Sequence, residues 1–168
     1  TGYASEDYSL WGELTVMVFF YLTFVGGCSG STAGGLKIFR FQVAYIILRR
    51  QLDRLVHPRA VFTERYNNRE ISEDIIRSLV SFSFFFALTI GFLALALSMF
   101  GLDFMTSLTG AITAVTNVGP GLGGTIGPAG NFASLPDGAK WLLSIGMLLG
   151  RLEIMTVLVV LTPRFWQG

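Results

Sequence analysis

The stretch Phe104-Met105-Thr106-Ser107-Leu108-Thr109-Gly110-Ala111-Ile112-Thr113-Ala114-Val115, followed by Thr116-Asn117-Val118-Gly119-Pro120-Gly121-Leu122-Gly123-Gly124, decides the fold. Its first half reads as a helix about 18 Å long, too short to cross a hydrocarbon core of about 30 Å. Its second half, rich in Gly and interrupted by Pro120, cannot continue that helix. Upstream, Gly101-Leu102-Asp103 reverses the chain, with Asp103 as the expected N-cap. Before that turn, no ionisable side chain occurs from Ser78 to Leu102. A helix of that length, roughly 37 Å, spans a bilayer with some tilt. Its start is expected at Ile71-Ser72-Glu73-Asp74, where Ser72 can cap and two acids suit the first turn, and its end near Phe100. Downstream, Trp141 to about Leu161 is a further apolar helix, closed by Thr162-Pro163-Arg164. Helix, short re-entrant helix, extended glycine loop, helix is the layout of a pore-loop repeat. The expected fold is therefore an all-α membrane protein.

The composition agrees. Hydrophobic residues make up 52% of the 168-residue chain and charged residues 14%, against about 25% charged in an ordinary soluble domain. Nine of the twelve Lys and Arg residues lie between Lys37 and Arg77, so the positive-inside rule puts that segment in the cytoplasm. Glu6, Asp7, Glu13, Asp103 and Asp137 gather at the opposite ends of the apolar runs, as solvated loop residues or as a mild cation-attracting rim. No basic patch interleaved with aromatics marks a nucleic-acid partner. The lone Cys28 excludes a disulfide within the chain. The single histidine, His57, stands beside Pro58 with no nucleophile or metal constellation around it, so an enzyme is not expected.

The amino-terminal part carries a second irregularity. After the polar Thr1 to Ser9, an apolar helix is expected from Leu10 to Val25. It runs into Gly26-Gly27-Cys28-Ser29-Gly30-Ser31-Thr32-Ala33-Gly34-Gly35, and helix resumes from Leu36 to about Arg50. The break lies near membrane depth, where irregular backbone is tolerated only if protein covers it or it lines a watery cavity. Gly35-Leu36-Lys37 does not complete a phosphate-cradling Walker pattern. A hinge, a gate and a static packing break all remain open. Arg151 stands about ten residues inside the last apolar helix, where a charge costs roughly 2.5–3.5 kcal/mol. Glu153 is a poor partner, because two positions apart on a helix face nearly opposite ways. Arg151 therefore faces an aqueous cavity or the polar atoms of the Gly26–Gly35 loop, or pairs structurally with another helix. Gly146 and Gly150 form a GxxxG spacing that admits a neighbouring backbone.

A re-entrant helix entering from outside points its carbonyl end at the membrane centre, where the helix dipole places about half a negative charge. The chain then climbs through Thr116 to Gly121, whose carbonyls can replace the hydration shell of a cation. Gly119 can adopt the backbone angles that aim carbonyls at one axis. The alternative is a tight loop turn with no ion.

Three motifs, Thr116-Asn117-Val118-Gly119-Pro120, the Gly26-to-Gly35 run ending in Gly-Gly-Leu-Lys, and Gly150-Arg151-Leu152-Glu153, together resemble the TrkH branch of the Trk/Ktr/HKT potassium transporters. The opening Thr1-Gly2-Tyr3-Ala4-Ser5 also resembles a filter strand of that family. The resemblance covers nearly the whole chain and implies four repeats of outer helix, pore helix, filter and inner helix. On that mapping, residues 1–50 hold the end of the third filter and a broken inner helix. Residues 51–74 are a cytoplasmic linker, 75–162 the fourth repeat and 163–168 a tail. Two repeats and the third pore helix would lie outside this chain, which could not enclose a pore alone. The implied filter residues are Thr1, Gly2, Tyr3, Thr116, Asn117, Val118 and Gly119, with a potassium ion, as substrate, at the carbonyls of Asn117 and Val118. The implied gate is the Gly26–Gly35 loop together with Arg151. The implied partners are the missing repeats, a second copy in a homodimer, the lipid bilayer and a cytosolic nucleotide-binding ring such as TrkA. No covalently bound cofactor is expected, and the expected location is the inner membrane, crossed several times. A sodium or ammonium pathway on the same scaffold and a non-conducting membrane scaffold are the competing readings.

Overall fold

A computed structural model describes residues 2–28, 31, 33–57, 65–66, 69–70, 72–152, 159–160 and 162–166. Five helices dominate: α1 (Glu13–Leu22), α2 (Ile38–Val56), α3 (Glu73–Ser98), α4 (Phe104–Thr116) and α5 (Asp137–Arg151). Short 3-10 turns occupy Tyr8–Trp11 and Phe132–Ser134, and a last helical turn Pro163–Trp166. The expected all-α architecture holds, apart from a two-residue antiparallel ladder in the linker, β1 (Arg65–Tyr66) with β2 (Arg69–Glu70). Among the described residues, α3 alone is long and apolar enough to cross a membrane.

Helices α3, α4 and α5 form the packed body. The short helix α4 lies between α3 and α5, and its residues from Thr109 to Thr116 are all buried, with Thr106 and Ser107. Phe82, Phe86, Ile90, Leu93 and Leu97 recur at helical spacing along α3 and make one wall of the core. Ala139, Leu143 and Gly146 make the facing wall on α5. Apart from Ile112 and Val115, the buried residues of α4 are Gly, Ala, Ser or Thr, which lets both neighbours come close. A Cβ built on Gly146 would press on Leu93 and lie 3.5 Å from the Ala114 Cβ. A Cβ on Gly150 would overlap the Val115 carbonyl oxygen. The GxxxG spacing is thus the seat of α4 on α5.

Boundaries differ from the sequence expectation in three places. The expected helix from Leu10 is divided: Gly12, at φ 105°, separates the 3-10 turn from α1, which closes at Leu22. Helix α2 runs six residues past Arg50 to Val56, taking in the start of the expected linker. Helix α5 begins at Asp137 and its described part ends at Arg151, with Leu152 as C-cap. By contrast, α3 starts one residue after Ser72 as expected, although the Ser72 hydroxyl makes no capping bond.

Candidate ion pathway

Helix α4 is held at both ends. At its amino-terminal end the Asp103 carboxylate accepts a hydrogen bond from the Thr106 N–H at 3.1 Å. Hydrogen bonding from Thr106 holds the Asp103 carboxyl below its ordinary range, because those bonds favour the charged form. At its inner end Asn117 adopts the left-handed conformation, φ 57° and ψ 35°, and its N–H turns back to the Ala114 carbonyl at 3.1 Å. Asparagine is among the few side chains that tolerate this region. The helix therefore stops at Thr116 and the chain turns upward.

Threonines of α4 then hold the ascending strand. The Thr113 hydroxyl accepts from the Gly119 N–H at 2.8 Å, and the Thr113 carbonyl accepts from the Val118 N–H at 3.2 Å. About one turn earlier, the Thr109 hydroxyl accepts from the Leu122 N–H at 3.0 Å and donates to the Met105 carbonyl at 2.7 Å. The Thr116 hydroxyl donates to the Ile112 carbonyl at 2.8 Å and so is turned back along its own helix. Sequence reasoning does not single out Thr109 and Thr113. Four-residue spacing of threonines on a helix facing a glycine strand is the available signal, but it reads equally as packing.

Beside this strand lies the amino-terminal segment. The Gly2 N–H donates to the Val118 carbonyl at 2.9 Å. Gly2 and Gly119 both have positive φ, 81° and 114°, and a Cβ on Gly119 would overlap the Gly2 Cα. Two glycines 117 positions apart in the sequence (119 − 2) are thus in backbone contact. Tyr3 leaves that contact with its side chain almost fully exposed. Thr1 lies outside the described residues.

The glycine-rich break sits at the inner end of the same helix. Its ends are drawn together by the Leu36 N–H donating to the Phe24 carbonyl at 3.1 Å and the Ile38 N–H to the Gly27 carbonyl at 3.1 Å. Gly26 meets Gly34 and Gly35 backbone to backbone, with no room for a Cβ. Gly35 and Lys37 both take positive φ, 81° and 59°, the latter costly for a side-chain-bearing residue. Within the loop the Ser31 N–H donates to the Cys28 carbonyl at 3.0 Å, the Ser31 hydroxyl accepts from the Ala33 N–H, and Cys28 is exposed. Ser29, Gly30 and Thr32 lie outside the described residues. The informative contact is at Gly34, where a Cβ would overlap the Thr116 carbonyl oxygen and come 3.1 Å from the Asn117 Cβ. The loop therefore meets the carbonyl end of α4 at Gly34.

Arg151 reaches the same place from α5. A cavity of ≈ 70 Å³ is lined by Ser31, Gly34 and Gly35 of the loop, by Gly150 and Arg151, and by Arg40. Arg40 itself lies over the Phe82 ring at 3.7 Å from its centroid, a cation–π contact. Among the described residues, the Arg151 guanidinium makes no hydrogen bond to a loop carbonyl. Glu153 lies outside them.

A short buried helix, positive-φ glycines in contact beyond its carbonyl end and a broken helix packed against that end fit a class: helical membrane proteins of cation transport. The profile of the TrkH family, described as cation transport proteins, matches residues 1–167. This chain belongs to that family. It is 68% identical over 167 residues to the Trk system potassium uptake protein TrkI of Halomonas elongata, and 37% identical over 166 residues to TrkH of Salmonella typhimurium. The crystal structure of the potassium transporter TrkH from Vibrio parahaemolyticus superposes with a TM-score of 0.83 at 35% identity. Each match covers 99% of this chain and 34% of the relative. The chain thus spans about a third of the length of the proteins it resembles.

Proposed function

We propose that this chain is part of a pore that passes potassium ions across the inner membrane, with Gly2–Tyr3 and Thr116–Gly119 as two of its filter strands. The observation that carries the reading is the backbone contact of Gly2 with Gly119, both at positive φ, at the carbonyl end of a buried helix too short to span. An ion there gains from the pore-helix dipole and from carbonyls that stand in for water. The Val118 carbonyl accepts the Gly2 N–H at 2.9 Å, which ties the two glycine strands together at this level. The names of the relatives, potassium uptake proteins of Trk systems, favour potassium over sodium or ammonium.

Beneath the filter, the Gly26–Gly35 loop and Arg151 act as the gate in this reading. The support is the contact of Gly34 with the Thr116 carbonyl and the shared cavity with Arg151. A cation leaving the filter meets a fixed positive charge in a confined, poorly hydrated space. The remaining repeats, a second copy and a cytosolic nucleotide-binding ring complete the assembly in this proposal, with the basic linker as the ring's docking surface.

The test is Gly119→Ser in the full-length protein, reconstituted in liposomes. A side chain at φ 114° strains the backbone and collides with Gly2. Potassium-over-sodium preference in ion flux should fall. Unchanged preference would remove Gly119 from the filter.

A further inference from the structure

We propose that the Asn117 side chain is a positioning residue that fixes the base of the filter to the inner helix α5; this rests on the filter reading of Thr116–Gly119. Its amide Nδ2 donates to the Met147 carbonyl at 3.0 Å, across 30 residues of sequence. A backbone carbonyl can only accept, so the partner itself decides which end of the amide points there.

The backbone of Asn117 alone does not explain the residue. At φ 57° and ψ 35° a glycine would serve at least as well, and this chain uses glycine at 119, 121 and 123 nearby. Asparagine adds one short donor. That donor reaches α5 because Gly146 and Gly150 bracket Met147 and bring the helix against Ala114 and the Val115 carbonyl. Met147 also stands one helical turn before Arg151. A shift of α5 at that turn is therefore passed by this hydrogen bond to Asn117, whose carbonyl and that of Val118 line the ion's path in the filter reading. The same end of α4 carries the Gly34 contact on its other side. Filter geometry and the position of α5 are thus linked through this amide, beside the packing of Gly150 on Val115.

The experiment compares Asn117→Gly, which keeps the left-handed backbone and loses the donor, with Asn117→Asp, which keeps the shape and cannot donate when ionised. Gly119→Ser is the reference variant. All are made in the full-length protein, and liposome flux is read for potassium and for sodium beside the apparent melting temperature. The expected result is a fall in potassium-over-sodium preference in both Asn117 variants of about fivefold, the weight of one net hydrogen bond. A lowered melting temperature with unchanged preference in both would show a merely structural bond and overturn the inference. A fall in Asn117→Asp alone would assign the effect to the added charge and would overturn it as well. If Gly119→Ser lowers preference and neither Asn117 variant does, the inference fails and the filter reading stands. If all three leave preference unchanged, the filter reading fails and the inference with it.

Discussion

Gly150→Ala tests whether the pore helix is seated on α5 by backbone contact. The added Cβ would overlap the Val115 carbonyl oxygen. Neither side can give cheaply, because both belong to helix backbones in a close-packed core. Helix α5 must then move off α4 by a distance on the order of 1 Å. Overpacking of this kind costs about 1–3 kcal/mol. Two other glycines calibrate the effect. At Gly146 the added carbon meets the end of a Leu93 side chain, which can turn aside, so Gly146→Ala should cost less. At Gly91, in the middle of α3, nothing lies within 4 Å. There the substitution removes a helix-interior glycine worth about 0.5–1 kcal/mol, so Gly91→Ala should be neutral or stabilising. The assay is tryptophan-fluorescence melting of the purified full-length variants, with ion preference measured in parallel. The order expected is Gly150→Ala lowest, then Gly146→Ala, then wild type or Gly91→Ala. Equal melting of Gly150→Ala and Gly91→Ala would refute the seating argument.

Arg151→Ala, or a deletion within Gly26–Gly35, should raise rubidium uptake without lowering potassium preference; two folded, inserted variants that conduct no more than wild type would remove the gate. Arg65→Glu with Arg69→Glu should weaken pull-down of the cytosolic ring protein while leaving membrane insertion intact, and undiminished pull-down would move the docking surface elsewhere. Asp103→Ala should lower the melting temperature at neutral pH. Because the Asp103 carboxyl titrates below its unfolded value of about 3.9, its capping contribution is full above that value and is lost as pH falls through the folded one. The gap between wild type and variant should therefore close only on strong acidification; a gap that persists at the lowest pH at which both remain folded would assign the effect to something other than the charged cap.

Elements with local signals are legible in the sequence, and those made by distant contacts are not. The uncharged run from Ser78 announces α3, and Asp103 before a short small-residue segment ending in Asn-Val-Gly-Pro announces α4. The GxxxG spacing implies close packing, though not its partner. The division of the first helix depends on the positive φ of Gly12, which a single glycine in an apolar run does not disclose. Helix α2 outlasts Arg50 because Gln51–Val56 contains no breaker, whereas the basic charge of that region suggests a linker. The motif resemblance points to both glycine strands, yet the contact of Gly34 with Thr116 and the reach of Asn117 to Met147 exist only in three dimensions. Of the surroundings expected for Arg151, a cavity, the polar atoms of the loop or another helix, the structure brings the residue to the loop cavity, with no hydrogen bond to a loop carbonyl among the described residues.

The burial of α4 from Thr109 to Thr116 has a consequence for how the protein is made. A segment this short and this rich in threonine gains little by partitioning into lipid on its own. Its hydroxyls and its two capped ends find their partners only once protein surrounds them. Biogenesis must then run out of sequence order: α3 enters the bilayer first, α5 follows, and α4 drops between them last. A cysteine placed at Thr109 should accordingly remain open to a thiol reagent in nascent chains that stop before Trp141, and become shielded once α5 has been synthesised. Shielding in the shorter chains would mean that the pore helix docks without its second wall.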